Sequence, residues 1–324
     1  MKSNIVKHHF TIADNLVCID FLEEDEKTGM HLLPSFEPFR VIEAEEDGDM
    51  PDSDADTVDA AVMSGARTAA PMLHFTVDLN LRPLPKDNRQ RIRTFDTGNG
   101  NTIVDRLCDG GYQFVIRDVF GKDCALLISN ADFSQCRCNI TGTGNMRRFG
   151  LNNALMLAYA YAASFHNTLF IHASLVRHRG KGYAFTAKSG TGKSTQVANW
   201  LKTIPDCDLM NDDNPIIRII DGKAFIYGSP WSGKTPCYRR VCAPLGAVTK
   251  ISRAMDNRVE RLSPLSAFGI ILPSCAAMKW DHTLYSRICD TVTALVSAVP
   301  VYVLHCTASP ESAIVCQKAI AHDD

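Results

Sequence analysis

Short runs rich in strand-forming residues, separated by polar turn residues, mark the first part of the chain. The runs occupy residues 10–22, 73–79, 111–117 and 124–128, and turn-forming residues such as 109–111 and 120–123 separate them. Short runs of this composition bounded by turn signals are typical of strands. Residues 1–145 are therefore predicted to form a mainly β domain, and no catalytic set of residues is recognisable in it.

One segment of this predicted domain lacks the apolar pattern. Residues 43–59 contain nine acidic residues and no basic one, and mostly small residues follow them at 60–70. Such a segment buries too little apolar area to offset the entropy lost on ordering. A mobile loop or insertion is expected at about 43–70. An acidic surface that attracts a basic partner is the alternative interpretation.

The pattern becomes mixed after residues 141–144, and residues 146–324 are predicted to form a second, α/β domain. Its predicted elements are helices at 152–165, 194–201 and 282–298, strands at 168–176, 182–186, 215–220, 223–228, 247–251 and 301–306, and helices opened by Ser263-Pro264 and Ser309-Pro310. Strands joined by turns as short as 178–181 and Asp221-Gly222 must pair antiparallel. The predicted sheet is therefore mixed.

Composition and charge narrow the classes of partner. The chain has 324 residues, a formal net charge of −2 and 45% hydrophobic residues, so no long-range field attracts nucleic acid or anionic lipid. It has no apolar run of membrane-helix length, and residues 1–9 lack the apolar core of a signal peptide. A cytoplasmic protein with reduced cysteines is expected, with neither nucleic acid nor membrane as partner. The closely spaced pair Cys136 and Cys138 is a weak metal signal without a second pair.

A glycine-rich segment lies between the predicted strand at 182–186 and the predicted helix at 194–201. Residues 187–195, here called the glycine loop, read Ala-Lys-Ser-Gly-Thr-Gly-Lys-Ser-Thr. Such a loop turns consecutive N–H groups toward phosphate oxygens, and the helix adds its positive end. The predicted nucleotide-binding residues of the loop are Ser189, Gly190, Thr191, Gly192, Lys193, Ser194 and Thr195. Lys193 is expected to reach the β- and γ-phosphates, and the Ser194 hydroxyl to bind Mg²⁺. An ordinary glycine-rich turn is the alternative.

Two carboxylates follow the glycine loop in the sequence. Residues 211–214, here called the aspartate segment, read Asn-Asp-Asp-Asn just before the predicted strand at 215–220. A phosphate-bound Mg²⁺ needs a further ligand and a phosphoryl acceptor needs a base. Because adjacent strand residues face opposite sides, Asp212 and Asp213 are expected to divide these roles. The same composition is also typical of a turn.

Two further groups are candidates for the site. His172 lies in the predicted strand at 168–176, where it is interpreted either as a group that hydrogen-bonds the acceptor or shuttles a proton, or as a structural histidine. Residues 228–234, here called the lysine loop, contain Lys234, whose charge is suited to a transferring phosphoryl group. A surface turn with a packed Trp231 is the alternative. Arg239 and Arg240 are weaker candidates for the same electrostatic role.

The order of these residues resembles the HPr kinase/phosphorylase family, which has the fold of ATP-dependent phosphoenolpyruvate carboxykinase. The resemblance covers about residues 165–250 and implies a mixed-sheet P-loop domain. It implies that His172 lies near the transferred phosphate, that Lys193 and Ser194 bind phosphate and Mg²⁺, that Asp213 is the base and that Asp212 is the acid on the metal side. Thr195 stands where that family commonly has Glu, and the family's carboxy-terminal recognition segment has no match, so HPr itself is not the expected substrate.

The expected function is a kinase that uses ATP and Mg²⁺ and transfers the γ-phosphoryl group to a hydroxyl of a small molecule, peptide or protein. A nucleotide-binding regulatory module with little or no turnover is the alternative. A carboxykinase-like reaction comes third, since no arginine set for a dicarboxylate is recognisable. The sequence leaves open the acceptor, the choice between ATP and GTP, and assembly into a homo-oligomer.

Overall fold

The computed structural model of the protein describes residues 5–41 and 70–321. The predicted acidic insertion lies outside the described residues except for Ala70. The chain divides into two compact units, Met1–Leu33 with Phe39–Leu151, and Pro34–Pro38 with Asn152–Asp324. No helix among the described residues is long and apolar enough to span a membrane.

The first unit contains an eight-stranded mixed sheet within the described residues. Its strands are β1 (Val6–Ile12), β2 (Asn15–Phe21), β3 (Leu73–Val77), β4 (Arg89–Asp96), β5 (Asn101–Leu107), β6 (Tyr112–Arg117), β7 (Asp123–Ser129) and β8 (Gln135–Ile140). Their order in the sheet is β1-β2-β3-β8-β7-β6-β5-β4. β3 lies parallel to both of its neighbours, β2 and β8, whereas the other pairs are antiparallel.

The run at residues 10–22 is a hairpin rather than one strand. Ala13 and Asp14 have φ values of 46° and 56°, and two successive positive φ angles form the turn that suits a two-residue hairpin. Alternation then sends Phe10, Ile19 and Phe21 into the core, where all three are fully buried. A turn therefore divides the run at residues 10–22, and neither Ala13 nor Asp14 is a strong turn signal in the sequence.

The second unit contains five helices and a second mixed sheet within the described residues, although α1 begins before the unit boundary. The helices are α1 (Gly144–Ser164), α2 (Lys193–Thr203), α3 (Pro264–Ile271), α4 (His282–Ala298) and α5 (Glu311–Ile320). The strands are β9 (Thr168–Phe170), β10 (Ala173–His178), β11 (Lys181–Thr186), β12 (Cys207–Asp213), β13 (Ile216–Ile220), β14 (Lys223–Tyr227), β15 (Cys242–Arg253), β16 (Arg258–Arg261) and β17 (Val301–Cys306). Their main order is β12-β10-β11-β15-β14-β13-β9, and β17 adds to β15 and carries β16.

Short turns set the pairing in this sheet. β10 and β11 are antiparallel, as are β13 and β14, so both predicted hairpins are confirmed. The turn residues Arg179, Gly180, Asp221 and Gly222 all have positive φ, as hairpins of this length require. β11 lies parallel to β15, and β15 lies parallel to β17, which makes the sheet mixed.

The predicted strand at 168–176 is wrong in one respect that matters for the site. β9 ends at Phe170 and β10 begins at Ala173, and they pair with different neighbours, β9 with β13 and β10 with β11 and β12. His172 lies in the break between them, where its N–H donates to the Ser274 carbonyl at 2.8 Å. His172 therefore lies between two strands and is not part of a sheet face.

A buried aromatic cluster fixes the position of α2. Trp200 of α2 has no exposed surface, and its ring lies 5.5 Å from the rings of Tyr183 and Phe185 on β11. Residues of β17 and α5, including Leu304 and Cys316, complete this core. The amino end of α2, where Lys193 lies, is thus held at the end of β11.

Candidate functional site

The glycine loop connects β11 to α2. Gly190 and Gly192 have φ values of 75° and 131°, which side chains other than glycine rarely adopt. A Cβ atom at either position would meet no other atom within 4 Å, so conformation rather than crowding requires glycine here. Ser189, Ser194 and Thr195 are exposed, so hydroxyl-bearing residues lie at the surface beside the positive end of a helix.

Arg253 holds the glycine loop from outside. Its guanidinium donates through Nε to the Thr191 carbonyl at 3.1 Å and through Nη2 to the Gly190 carbonyl. Carbonyls fixed in this direction favour N–H groups that point the other way, toward a bound anion. No sequence pattern predicted this role, because Arg253 ends β15 and is about sixty residues from the loop.

Lys193 is buried although it carries a charge. Only 9% of the residue is exposed, and its Nζ lies 2.7 Å from His172 Nε2 and 3.5 Å from the Ala187 carbonyl. Burial lowers the pKa of Lys193 from its ordinary value, and the nearby carboxylates of Asp213 and Asp212 oppose that shift only in part. An anion that reached this ammonium would relieve the penalty of its burial.

His172 connects Lys193 to a carboxylate. Its Nδ1 lies 3.1 Å from Asp213 Oδ1. If Nε2 accepts from the lysine ammonium, the ring hydrogen is on Nδ1 and donates to Asp213; these partners assign that tautomer. Burial alone raises the pKa of the Asp213 carboxyl, but His172, Lys193 and the Asn214 amide outweigh burial, so the pKa lies below its usual value.

Asp213 has a strained backbone. Asp213 is the last residue of β12, whereas the sequence predicted that the aspartate segment lies at the start of the strand at 215–220. The φ angle of Asp213 is 110°. A positive φ at a residue other than glycine carries an energy of about 1–3 kcal/mol and persists only where neighbouring structure imposes it. Here Ser232 bridges to Asp213, and Gly233 leaves room for it, because a Cβ on Gly233 would lie 2.9 Å from that of Asp213.

Asp212 faces a different set of partners. It is 4% exposed, and its Oδ1 accepts from the Ser174 hydroxyl at 2.7 Å while its Oδ2 accepts from the Thr235 N–H at 3.3 Å. Asp213, in contrast, has 34% of its side chain exposed. No hydrogen bond or ion pair among the described residues joins Asp212 to Ser194, so the predicted magnesium pair is not in direct contact.

The lysine loop lies against the aspartate segment through its backbone. Asn211 Nδ2 donates to the Trp231 carbonyl at 3.1 Å, and the Gly233 N–H donates to the Asp212 carbonyl. Trp231 is buried and its ring contacts Phe170 at 5.3 Å, as the packed-turn interpretation expects. Lys234 is exposed, and within residues 70–321 no hydrogen bond joins it to the glycine loop.

The two arginines considered in the sequence differ in their contacts. Arg239 donates to the Asp208 carboxylate at 2.5 Å, and Arg177 donates to that carboxylate as well. The sequence made Arg239 a weaker candidate for stabilising the phosphoryl group. Its guanidinium is instead paired with the Asp208 carboxylate. Arg240 is exposed.

A cavity of about 330 Å³ opens beside the amino end of α2. Its lining comprises Gly190, Thr191, Gly192, Thr195, Gln196, Ile251, Arg253, Ala254, Cys306, Thr307 and Ala308. The lining combines apolar surface with a few polar groups, as in small-molecule sites. Four glycine-loop residues line the cavity, but His172 and Asp213 are not in its lining.

One solved structure is weakly similar to this chain. No family model matches it, and no curated protein matches its sequence. Among solved structures, the HPr(Ser) kinase/phosphatase from Coxiella burnetii is similar at 10% sequence identity and a TM-score of 0.29, over 46% of this chain and 95% of that one. A similarity this weak leaves the chemistry to be judged from the residues of the chain itself.

Proposed function

We propose that the second unit binds ATP with Mg²⁺ and transfers the γ-phosphoryl group to a hydroxyl of a small molecule, peptide or protein. The observation that carries this proposal is the hydrogen-bonded series Lys193, His172, Asp213. It joins the ammonium of the glycine loop to a partly exposed carboxylate through one imidazole. A loop that only bound an anion would not need that carboxylate.

The donor set fits a polyphosphate and a hard cation. Backbone N–H groups of the glycine loop and the Lys193 ammonium suit phosphate oxygens, while the Ser194 hydroxyl and the Asp212 carboxylate are the kind of oxygen ligands that Mg²⁺ prefers. Bound Mg²⁺ would neutralise charge on the phosphates. The cavity beside α2 is large enough for the nucleoside part of the ligand, because small-molecule sites begin at about 300 Å³.

Asp213 is the proposed base. Its lowered pKa keeps the carboxylate ionised at neutral pH, and its partial exposure leaves an oxygen accessible to an acceptor hydroxyl. In the transfer, the acceptor O–H bond breaks and its proton passes to Asp213, while the acceptor oxygen bonds to phosphorus and the bond to the ADP oxygen breaks. His172 holds the carboxylate in position, and Lys193 stabilises charge on the transferred group.

A transfer screen tests this function. Full-length protein is incubated with γ-labelled ATP, Mg²⁺ and either a set of hydroxyl metabolites or a cell extract, in parallel with Asp213→Asn. The proposal expects label on an acceptor with the wild-type protein and little with the variant, while calorimetry shows ATP binding by both. Tight ATP binding with no labelled acceptor would contradict the transferase and favour the regulatory module.

A further inference from the structure

A second group of ligand-type side chains lies in the first unit, outside the proposed site. Cys18 and Asp20 are on β2 and His74 is on β3, and one ligand atom from each lies within 4.8 Å of the others. Cys18 and His74 are register partners in the parallel β2–β3 pair. Since Cys18 and Asp20 are two residues apart on one strand, all three side chains share one face of the sheet.

The spacing of these atoms is close to that of a metal centre. Asp20 accepts from the Cys18 thiol at 3.2 Å with one oxygen and lies 2.8 Å from His74 Nε2 with the other. Ligand atoms of a tetrahedral zinc ion, with bonds of about 2.0–2.3 Å, are about 3.3–3.8 Å apart. Small rotations of three side chains would therefore open the cluster enough to admit an ion.

We propose that Cys18, Asp20 and His74 bind one divalent cation of the zinc class. A sulfur, a carboxylate oxygen and an imidazole nitrogen form the mixed set that suits Zn²⁺ rather than Mg²⁺ or Ca²⁺. On binding, the Cys18 thiol proton leaves to solvent and its sulfur bonds to the metal, while the Nε2 hydrogen of His74 moves to Nδ1. The thiolate and carboxylate then balance the charge of the ion.

The surroundings of the cluster suit a bound ion. Cys18 and Asp20 are each 5% exposed, whereas 32% of the His74 side chain is exposed, so the cluster is enclosed on one side and open on the other. His9 on β1 is the register partner of Cys18 from the opposite side. The ring nitrogens of His9 are not among the clustered ligand atoms of the described residues, so the proposed set has three protein ligands.

A cysteine pair in the same sheet provides a contrast. Cys136 and Cys138 alternate along β8, and their register partners on β3 are Phe75 and Val77, so they face away from His74. Their thiols lie near the carbonyls of Phe133 and Asn139. The close sequence pair therefore does not join the cluster, and the donors far apart in sequence come together instead.

A metal here would join distant parts of the chain. Asp20 and His74 are 54 residues apart, and the interval contains the acidic residues 43–59. These ligands come together only in the folded protein, and an ion that binds the folded state and not the unfolded chain raises stability by mass action. Removal of the ion should therefore lower the unfolding temperature of the protein.

Cobalt titration tests the proposal directly. Full-length protein is reduced, stripped with a chelator and titrated with Co²⁺ and then Zn²⁺. One Co²⁺ per chain should bind with a thiolate-to-cobalt charge-transfer band, and Zn²⁺ should remove the band. Cys18→Ser should abolish the band, and both Cys18→Ser and His74→Gln should weaken binding by at least about 10–100-fold, the loss that follows removal of an outer-sphere partner.

The control is Cys108→Ser, which removes an exposed cysteine of the same unit and should leave the band and affinity unchanged. Circular dichroism establishes that each variant is folded, and the glutamine of His74→Gln can still donate to Asp20. A folded wild-type protein without the cobalt band, or Cys18→Ser that binds Co²⁺ as the wild type does, would overturn the site. ATP binding is measured in the same samples and is expected to be unchanged, so this test is independent of the proposed kinase site.

Discussion

The two units each contain a histidine beside a carboxylate, and the third partner differs. In the second unit His172 lies between Asp213 and the Lys193 ammonium. In the first unit Asp20 lies between His74 and the Cys18 thiol. The same pair of residue types is thus completed by a cationic group in one case and by a group that can become anionic in the other.

Burial makes this difference chemically informative. Burial lowers the pKa of Lys193, and burial together with Asp20 raises the pKa of the Cys18 thiol to about 12. In both places the charged form of the third partner is disfavoured. An anion such as polyphosphate would relieve the penalty at Lys193, whereas the neutral Cys18 thiol carries no charge that attracts an anion. The proposed ligands of the two sites, a polyphosphate and a divalent cation, differ in the same way as these third partners.

Exchange of each carboxylate for an amide should separate the two sites most strongly. Asp213→Asn is expected to lower ATP turnover by about 10²–10⁴-fold, because it removes the proposed base, and to leave ATP binding within a few-fold. Asp20→Asn, the matched change in the first unit, should leave turnover unchanged. Turnover is measured as label release from γ-labelled ATP. If Asp213→Asn and Asp20→Asn lost ATP turnover equally, the proposal that only Asp213 acts in turnover would be contradicted.

Release of the glycine loop should have a smaller effect. Arg253→Met removes both donors to the Gly190 and Thr191 carbonyls, and ATP affinity should fall about tenfold, which corresponds to one hydrogen bond from a charged group. Arg253→Lys should give an intermediate value, since it keeps the charge but loses the two-pronged geometry. Calorimetry measures both variants. An unchanged affinity in Arg253→Met would remove Arg253 from the positioning of the loop.

The effect on pH-dependent stability should be the smallest. The folded-state pKa of Asp213 is depressed below its ordinary value of 3.8, so its contribution is present above that value and is lost as pH falls through the lower, folded-state pKa. With a third of the side chain exposed, the contribution should stay below about 1 kcal/mol. The unfolding free energies of wild type and Asp213→Asn should therefore converge between neutral pH and pH 3. If the difference in unfolding free energy between the two proteins instead grew as the pH fell, the predicted direction of the effect would be wrong.

Local sequence features predicted the parts of the fold that local geometry determines. Asp221-Gly222 indicated its hairpin because both residues adopt positive φ, and the glycine loop was recognisable because Gly190 and Gly192 adopt angles that other residues rarely do. Ser263 also caps α3 by accepting from the Ser266 N–H, as the Ser-Pro signal indicated. These features depend on a few neighbouring residues.

Tertiary pairing decided the parts that sequence patterns did not predict. The break at His172 arises because the two halves of an apolar run pair with different strands. Arg253 reaches the glycine loop only because β15 lies parallel to β11. Cys18 lies opposite His74 in a parallel strand pair. A parallel pair has no hairpin turn that would indicate it in the sequence. Periodicity assigns such residues to a face of an element but does not identify the element beside it.

Calorimetric titration of Mg·ATP into Lys193→Met and Lys188→Met tests the central claim most directly. Both variants remove a lysine from the glycine loop, but Lys193 is buried beside His172 whereas Lys188 is exposed. The account predicts that Lys188→Met binds as the wild type does, and that Lys193→Met loses at least about 10–100-fold in affinity, the value of one buried charge-assisted contact. Wild-type affinity in Lys193→Met would contradict the proposal that its ammonium is the anion-binding group of the site.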